Sequence, residues 1–139
     1  MEKEGGTERL VFSTCILTDK KASLPERIGE LGAEFRSIVS EHRPDQVAIE
    51  TLFFNKNQKT AVAVAEARGA IILMAQEHGA IVKEFGPAEI KVAVTGYGKS
   101  DKTAVMDMLR RLVPNIPPKA LDDEYDAIAI AVTALAHHR

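Results

Sequence analysis

The sequence predicts an α/β fold. Short apolar, β-branched runs alternate with longer segments whose apolar residues recur every three or four positions. Turn and capping residues separate the two kinds of segment. The length, 139 residues with 45% hydrophobic side chains, suits a single domain.

Leu10 to Leu17 is small, β-branched and apolar, and predicts a strand. Ser23-Leu24-Pro25-Glu26 has the form of a capping box with proline in the first turn. Behind it Leu24, Ile28, Leu31, Phe35, Ile38 and Val39 form one stripe, predicting a helix to about His42 that Arg43-Pro44-Asp45 stops. Gln46 to Glu50 predicts a buried strand with a carboxylate at its end, and Thr51 to Gln58 a loop. Lys59 to His78 predicts a long Ala-rich helix capped by Gly79. Ile81 to Phe85 predicts a third strand. Gly86-Pro87 opens a short helix, Ala88 to Val94, and Thr95 to Ser100 is a turn. Asp101 to Leu112 predicts a helix with Val105, Met108, Leu109 and Leu112 inside. After the extended linker Pro114 to Pro118, the last helix starts near Asp122 or Asp123 and reaches about His137. Three strands give so many apolar helices little to pack on, so a central strand is expected to be absent from the set.

Composition narrows the function. Eighteen basic and 20 acidic residues leave a net charge of -2, which argues against coating nucleic acid by bulk positive charge. The lone cysteine, Cys15, excludes an internal disulfide framework and a Cys-rich zinc site. No run approaches the roughly 20 apolar residues of a membrane span. The acidic start, Met1-Glu2-Lys3-Glu4-Gly5-Gly6, is unlike a signal peptide, and the cytoplasm is the expected location.

Three carboxylates stand out by position. Glu50 ends a strand, and Asp123 and Asp126, three residues apart, share a face at the start of the last helix. An acidic first turn also complements a helix dipole, and a strand-end glutamate also suits solvent. Strand C-termini of an α/β sheet face the crevice where ligands bind, so the three could converge there. Converging carboxylates need a counter-charge, and Mg²⁺ or Mn²⁺ suits them. Two such ions about 3.5–4 Å apart can activate water and stabilise the leaving oxygen of a phosphodiester. Phe53 and Phe54, beside Asn55, Lys56, Asn57 and Lys59, suit stacking on an unpaired base and phosphate contact. Lys83, Lys91, Lys99 and Lys102 could line a backbone track, although surface lysines also serve solvation. Gly96-Tyr97-Gly98-Lys99-Ser100 lacks the spacing of a nucleotide-binding loop, the histidines lack zinc spacing, and no nucleophilic triad is evident.

Several separated motifs, in order, resemble one family. They are Ala48-Ile49-Glu50-Thr51-Leu52-Phe53-Phe54-Asn55-Lys56-Asn57, Ala65-Glu66-Ala67-Arg68-Gly69-Ala70, Lys91 to Gly98 with Lys102, and Asp123-Glu124-Tyr125-Asp126-Ala127-Ile128-Ala129. Together they resemble the RuvC crossover junction endodeoxyribonucleases from about Leu10 onward. The resemblance implies a ribonuclease H-like mixed sheet flanked by helices, one RuvC-type nuclease domain over residues 1–139, and a homodimer that nicks two strands of four-way DNA junctions. It implies two Mg²⁺ ions (Mn²⁺ in their place) held by Glu50, Asp123 and Asp126 as three of four catalytic carboxylates. It also implies base stacking by Phe53, DNA contacts from Lys91 and Lys102, and a branch-migration motor as partner; Lys56, the cation beside Phe53 and Phe54, is expected to contact the DNA as well. The family's first ligand sits in an Asp-Pro-Gly strand. No Asp-Pro-Gly occurs here, and Met1 to Gly6 resembles the hairpin that follows it. The chain is therefore expected to lack that ligand and strand through N-terminal truncation, and to be inactive or nearly so. Two other readings stay open: a non-catalytic branched-DNA-binding module, and a ribonuclease H-like nuclease acting on structured RNA.

Overall fold

The computed structural model describes residues 1–51 and 58–138. Among them the order is β1 (Glu2–Glu4), β2 (Thr7–Arg9), α1 (Leu24–His42), β3 (Gln46–Glu50), α2 (Gln58–Glu77), β4 (Ile81–Phe85), α3 (Pro87–Thr95), α4 (Lys102–Leu112) and α5 (Asp122–Ala136). Contacts divide the chain into two units. One holds Met1–Cys15, Ala48–Thr51 and the chain from Glu84 onward; the other holds Ile16–Val47 and Leu52–Lys83.

In the first unit, β1 and β2 pair antiparallel, with Glu2 opposite Arg9, Lys3 opposite Glu8 and Glu4 opposite Thr7. The tight turn needs positive φ at two successive residues, and Gly5 (57°) and Gly6 (84°) supply it. A buried Glu8 carboxylate oxygen has no hydrogen-bond partner among the described residues. Burial pushes the Glu8 carboxyl above the ordinary glutamate range, and Lys3 opposes that shift. A raised carboxyl pKa favours folding below the unfolded-state value and loses that contribution as pH rises through the folded-state value. Glu8→Gln is therefore expected to raise the melting temperature at pH 7. The gain should vanish below about pH 4, as thermal melts across that range would show.

Leu10 to Leu17 does not form a strand. β propensity describes fit to a pleated surface, and a strand also needs a neighbour to complete its ladder. Polar side chains serve the backbone here instead. Leu10 N–H donates to Asn115 Oδ1 (3.1 Å), and Asn115 Nδ2 donates to the Leu10 carbonyl (2.7 Å). Leu10 is buried, whereas Val11 and Phe12 are each 47% exposed.

The core of this unit gathers Leu10, Phe85, Ile90, Val94, Leu109, Val113 and one face of α5. Tyr125, Ile128, Ala129, Val132 and Thr133 bury that face at helical spacing. The Thr133 hydroxyl is satisfied by donating to the Ala129 carbonyl (2.8 Å), and Tyr125 Oη donates to Pro117 O (2.7 Å), tying the linker to the helix. α3 packs on α4 and α5.

In the second unit, α1 packs on α2. Both halves of the α1 capping box are present: Glu26 N–H donates to Ser23 Oγ (3.3 Å), and Ser23 N–H donates to Glu26 Oε2 (3.0 Å). α1 ends on Arg43 in the left-handed region (φ 45°). Gly32 has a close neighbour: a Cβ there would lie 2.6 Å from Met74 Cε of α2. β3 and β4 pair in a two-stranded sheet. Ile81 N–H donates to Asp45 O within this unit, and Thr51 N–H donates to Phe85 O within the first, both at 2.9 Å. These bonds join start to start and end to end, so the strands run parallel.

Candidate functional site

The acidic face of α5 is fixed by what the opposite face buries. Tyr125, Ile128 and Ala129 point into the core. Helical geometry then turns Asp122, Asp123 and Asp126 outward, and all three are exposed. Capping does not account for them. The N-cap is Leu121, with no side-chain cap hydrogen bond. Glu124, within the same string, is held separately: Ser13 Oγ donates to its Oε1 at 2.5 Å.

Lys102 supplies the counter-charge. Asp101 caps α4 by accepting from Ala104 N–H (2.8 Å), which places Lys102 at the first helical position. Its Nζ lies 3.0 Å from Asp122 Oδ2, with both side chains more than half exposed. The hydrogen bond to Asp122 holds the Lys102 ammonium above its ordinary value, and the charge of Asp126 adds to this. The Asp126 carboxyl is pushed above the ordinary aspartate range, first by partial desolvation, although the residue keeps an exposed surface. Asp123 and Asp122 repel it in the same direction, and Lys102 opposes them. So Asp122, Asp123, Asp126 and Lys102 act as one electrostatic group. Asp122 and its ion pair were not evident from spacing; a lysine one residue after a capping aspartate is the only trace in the sequence.

Glu50 ends β3 and is exposed, and the Thr51 N–H bond to Phe85 O fixes the backbone just beyond it. Among the described residues, no group of three or more His, Cys, Asp or Glu side chains is gathered closely enough to hold a metal ion. Glu50 therefore does not join Asp123 and Asp126 in such a group there. The Asp123–Asp126 pair itself fits a hard divalent cation, because Mg²⁺ is commonly held through one or two carboxylates and several waters. Lys91 lies half-buried on α3. Phe53 and Lys56 fall outside the described residues.

A family model described as "Crossover junction endodeoxyribonuclease RuvC" matches residues 1–134. The chain belongs to the RuvC family. RuvC of Pelotomaculum thermopropionicum is 39% identical over 140 aligned positions, covering 99% of this chain and 84% of the relative. RuvC of Finegoldia magna is 42% identical, covering 85% and 72%. Among solved structures, T. thermophilus RuvC in complex with a Holliday junction substrate superposes with a TM-score of 0.90 at 29% identity, covering 99% of this chain and 83% of that one. The mixed α/β architecture is that of RuvC, a ribonuclease H-like fold. RuvC enzymes are metal-dependent nucleases, and their names state crossover-junction cleavage. Among the described residues no helix is long and apolar enough to cross a membrane.

Proposed function

We propose that this chain is a Holliday junction resolvase, a metal-dependent endonuclease that nicks two strands of four-way DNA junctions in recombination and repair. The observation that carries this is the acidic face of α5 with Lys102 beside it, in a chain matched to the RuvC model over nearly its whole length. Residues 1–139 act as one nuclease domain. Asp123 and Asp126 hold the metal, Mg²⁺ or Mn²⁺, at two ions per site, and Glu50, which does not stand in one group with them, must close on the pair to serve as the third ligand. Phe53, Lys56, Lys91 and Lys102 contact the DNA. The protein works in the cytoplasm as a homodimer, for which the exposed Val62 and Leu73, on one face of α2, offer an apolar surface, and it cooperates with a branch-migration motor.

The reaction is phosphodiester hydrolysis. A bond forms between water oxygen and phosphorus, the bond to the 3′ oxygen breaks, and a 5′-phosphate and a 3′-hydroxyl remain. Bound divalent ions supply Lewis acidity for this step. Asp123 and Asp126 provide hard oxygen donors on a helix face that the core of the first unit keeps rigid. The Lys102 ammonium, held by an exposed ion pair of small strength, exchanges Asp122 for a substrate phosphate at low cost.

The test is binding and nicking of a synthetic four-way junction. Without divalent metal, the junction is expected to bind about tenfold or more tighter than a linear duplex of equal length. In Mg²⁺, the chain is expected to nick the junction, and removal of the metal with EDTA is expected to abolish the nicking. Equal affinity for linear duplex, or cleavage of structured RNA in preference to the junction, overturns the reading.

A further inference from the structure

The turn between α3 and α4 presents an aromatic ring from a backbone that is held on both sides. Tyr97 N–H donates to Thr95 Oγ1 (3.1 Å), and the Thr95 hydroxyl donates to the Lys91 carbonyl (2.8 Å). The Tyr97 carbonyl accepts from Ser100 N–H (3.2 Å) and from the buried Ser100 hydroxyl. Gly96, in the left-handed region (φ 81°), ends α3, and Gly98 lies so close to that helix that a Cβ would stand 3.3 Å from Val92 Cγ2. Every one of these bonds ties down main chain, and none holds the ring. The Tyr97 side chain stays 60% exposed.

The turn borders the acidic group directly. Ser100 is followed by Asp101, the cap of α4, and then by Lys102, which reaches Asp122. Exposed Lys99 lies in the same turn, and Lys91 ends the hydrogen-bond chain that begins at Tyr97. An exposed ring on a fixed backbone among lysines is the arrangement that binds nucleic acid by stacking, with the cations taking the phosphates. Because the backbone is already ordered, little conformational entropy remains to be lost on contact. A linear duplex offers no free base face along its length. A branch point does, where strands part.

We propose that Tyr97 stacks on a base exposed at the branch of a four-way junction, as a binding residue at the rim of the acidic site. This rests on the resolvase reading above and adds to it a second aromatic contact, on the opposite side of the sequence from Phe53. The hydroxyl is not required.

The experiment measures binding of the full chain to a four-way junction carrying 2-aminopurine at the branch nucleotides, without divalent metal. Tyr97→Ala and Tyr97→Leu are expected to weaken junction binding about tenfold, within the range that a lost base–aromatic stack gives. Both should also lose the fluorescence quenching that the unsubstituted chain produces. Tyr97→Phe should keep affinity within about twofold and keep the quenching. Affinity for linear duplex should be unchanged in all three, and so should the melting temperature, since the ring is exposed. Retention of junction affinity by the Ala or Leu variant overturns the proposal. So does equal loss in the Phe variant, which would assign the contact to the hydroxyl. Failure of the unsubstituted chain to bind the junction overturns the resolvase reading and this proposal together; the variant outcomes touch this proposal alone.

Discussion

Replacing Asp123 and Asp126 together by Asn is expected to weaken Mn²⁺ binding by about a hundredfold while leaving junction binding without metal intact. Each substitution removes an anionic donor, and even partners outside the coordination shell change metal affinity about 10- to 100-fold. Stability should move the other way. Asp126 is partly desolvated and repelled by Asp123 and Asp122, so its charge works against folding at neutral pH. The double variant is expected to melt no lower than the unsubstituted chain at pH 7. Calorimetric Mn²⁺ titration paired with thermal melts reads both effects. A loss of metal binding accompanied by a large fall in melting temperature would show that the aspartates hold the fold instead. The opposed outcomes have a physical basis: clustered like charges strain a helix face, and a cation that relieves the strain is bound by the same energy.

Leu109→Ala is expected to destabilise the fold by about 3–5 kcal/mol. Leu109 is fully buried on α4, in a cluster that also holds Val113, Ile128 and Val132. Removing its branched end deletes transfer free energy and leaves a cavity that α3 and α5 can only partly close. The prediction also reaches the site. α4 carries Lys102 at one end and Leu109 within, so a loosened α4 should weaken junction binding as well as stability. Urea denaturation gives the first quantity and a gel-shift titration the second. A cost below about 1 kcal/mol would mean that the α4–α5 packing is not the support of the acidic face.

The elements legible in the sequence were those whose signals are local. The capping box at Ser23 marks the start of α1, and Arg43-Pro44 marks its end. Gln46–Glu50 and Ile81–Phe85 are strands at the bounds the pattern indicates, and Gly86-Pro87 and Gly96 bracket α3. The apolar stripe of α5 identifies which residues turn outward, and so Asp123 and Asp126 were legible as a pair. Leu10 to Leu17 was misread for the converse reason. Its composition is strand-like, but a ladder depends on a second strand that composition does not report, and Asn115 satisfies Leu10 from far along the chain. The reach of Lys102 to Asp122 likewise depends on how α4 meets α5. Neither residue's spacing encodes that crossing.

The Asn115 bracket on Leu10 has a consequence for how the chain is made. Its two partners are 105 residues apart. A ribosome adds about 5–20 residues per second, so Leu10 emerges several seconds or more before the carboxamide that secures it exists. During that interval Leu10, which the folded chain buries, stands unshielded beside the apolar Val11, Phe12 and Leu17 on a nascent polypeptide. Holding factors that bind short hydrophobic stretches would find their first target there, and release would be timed by translation of the segment after α4.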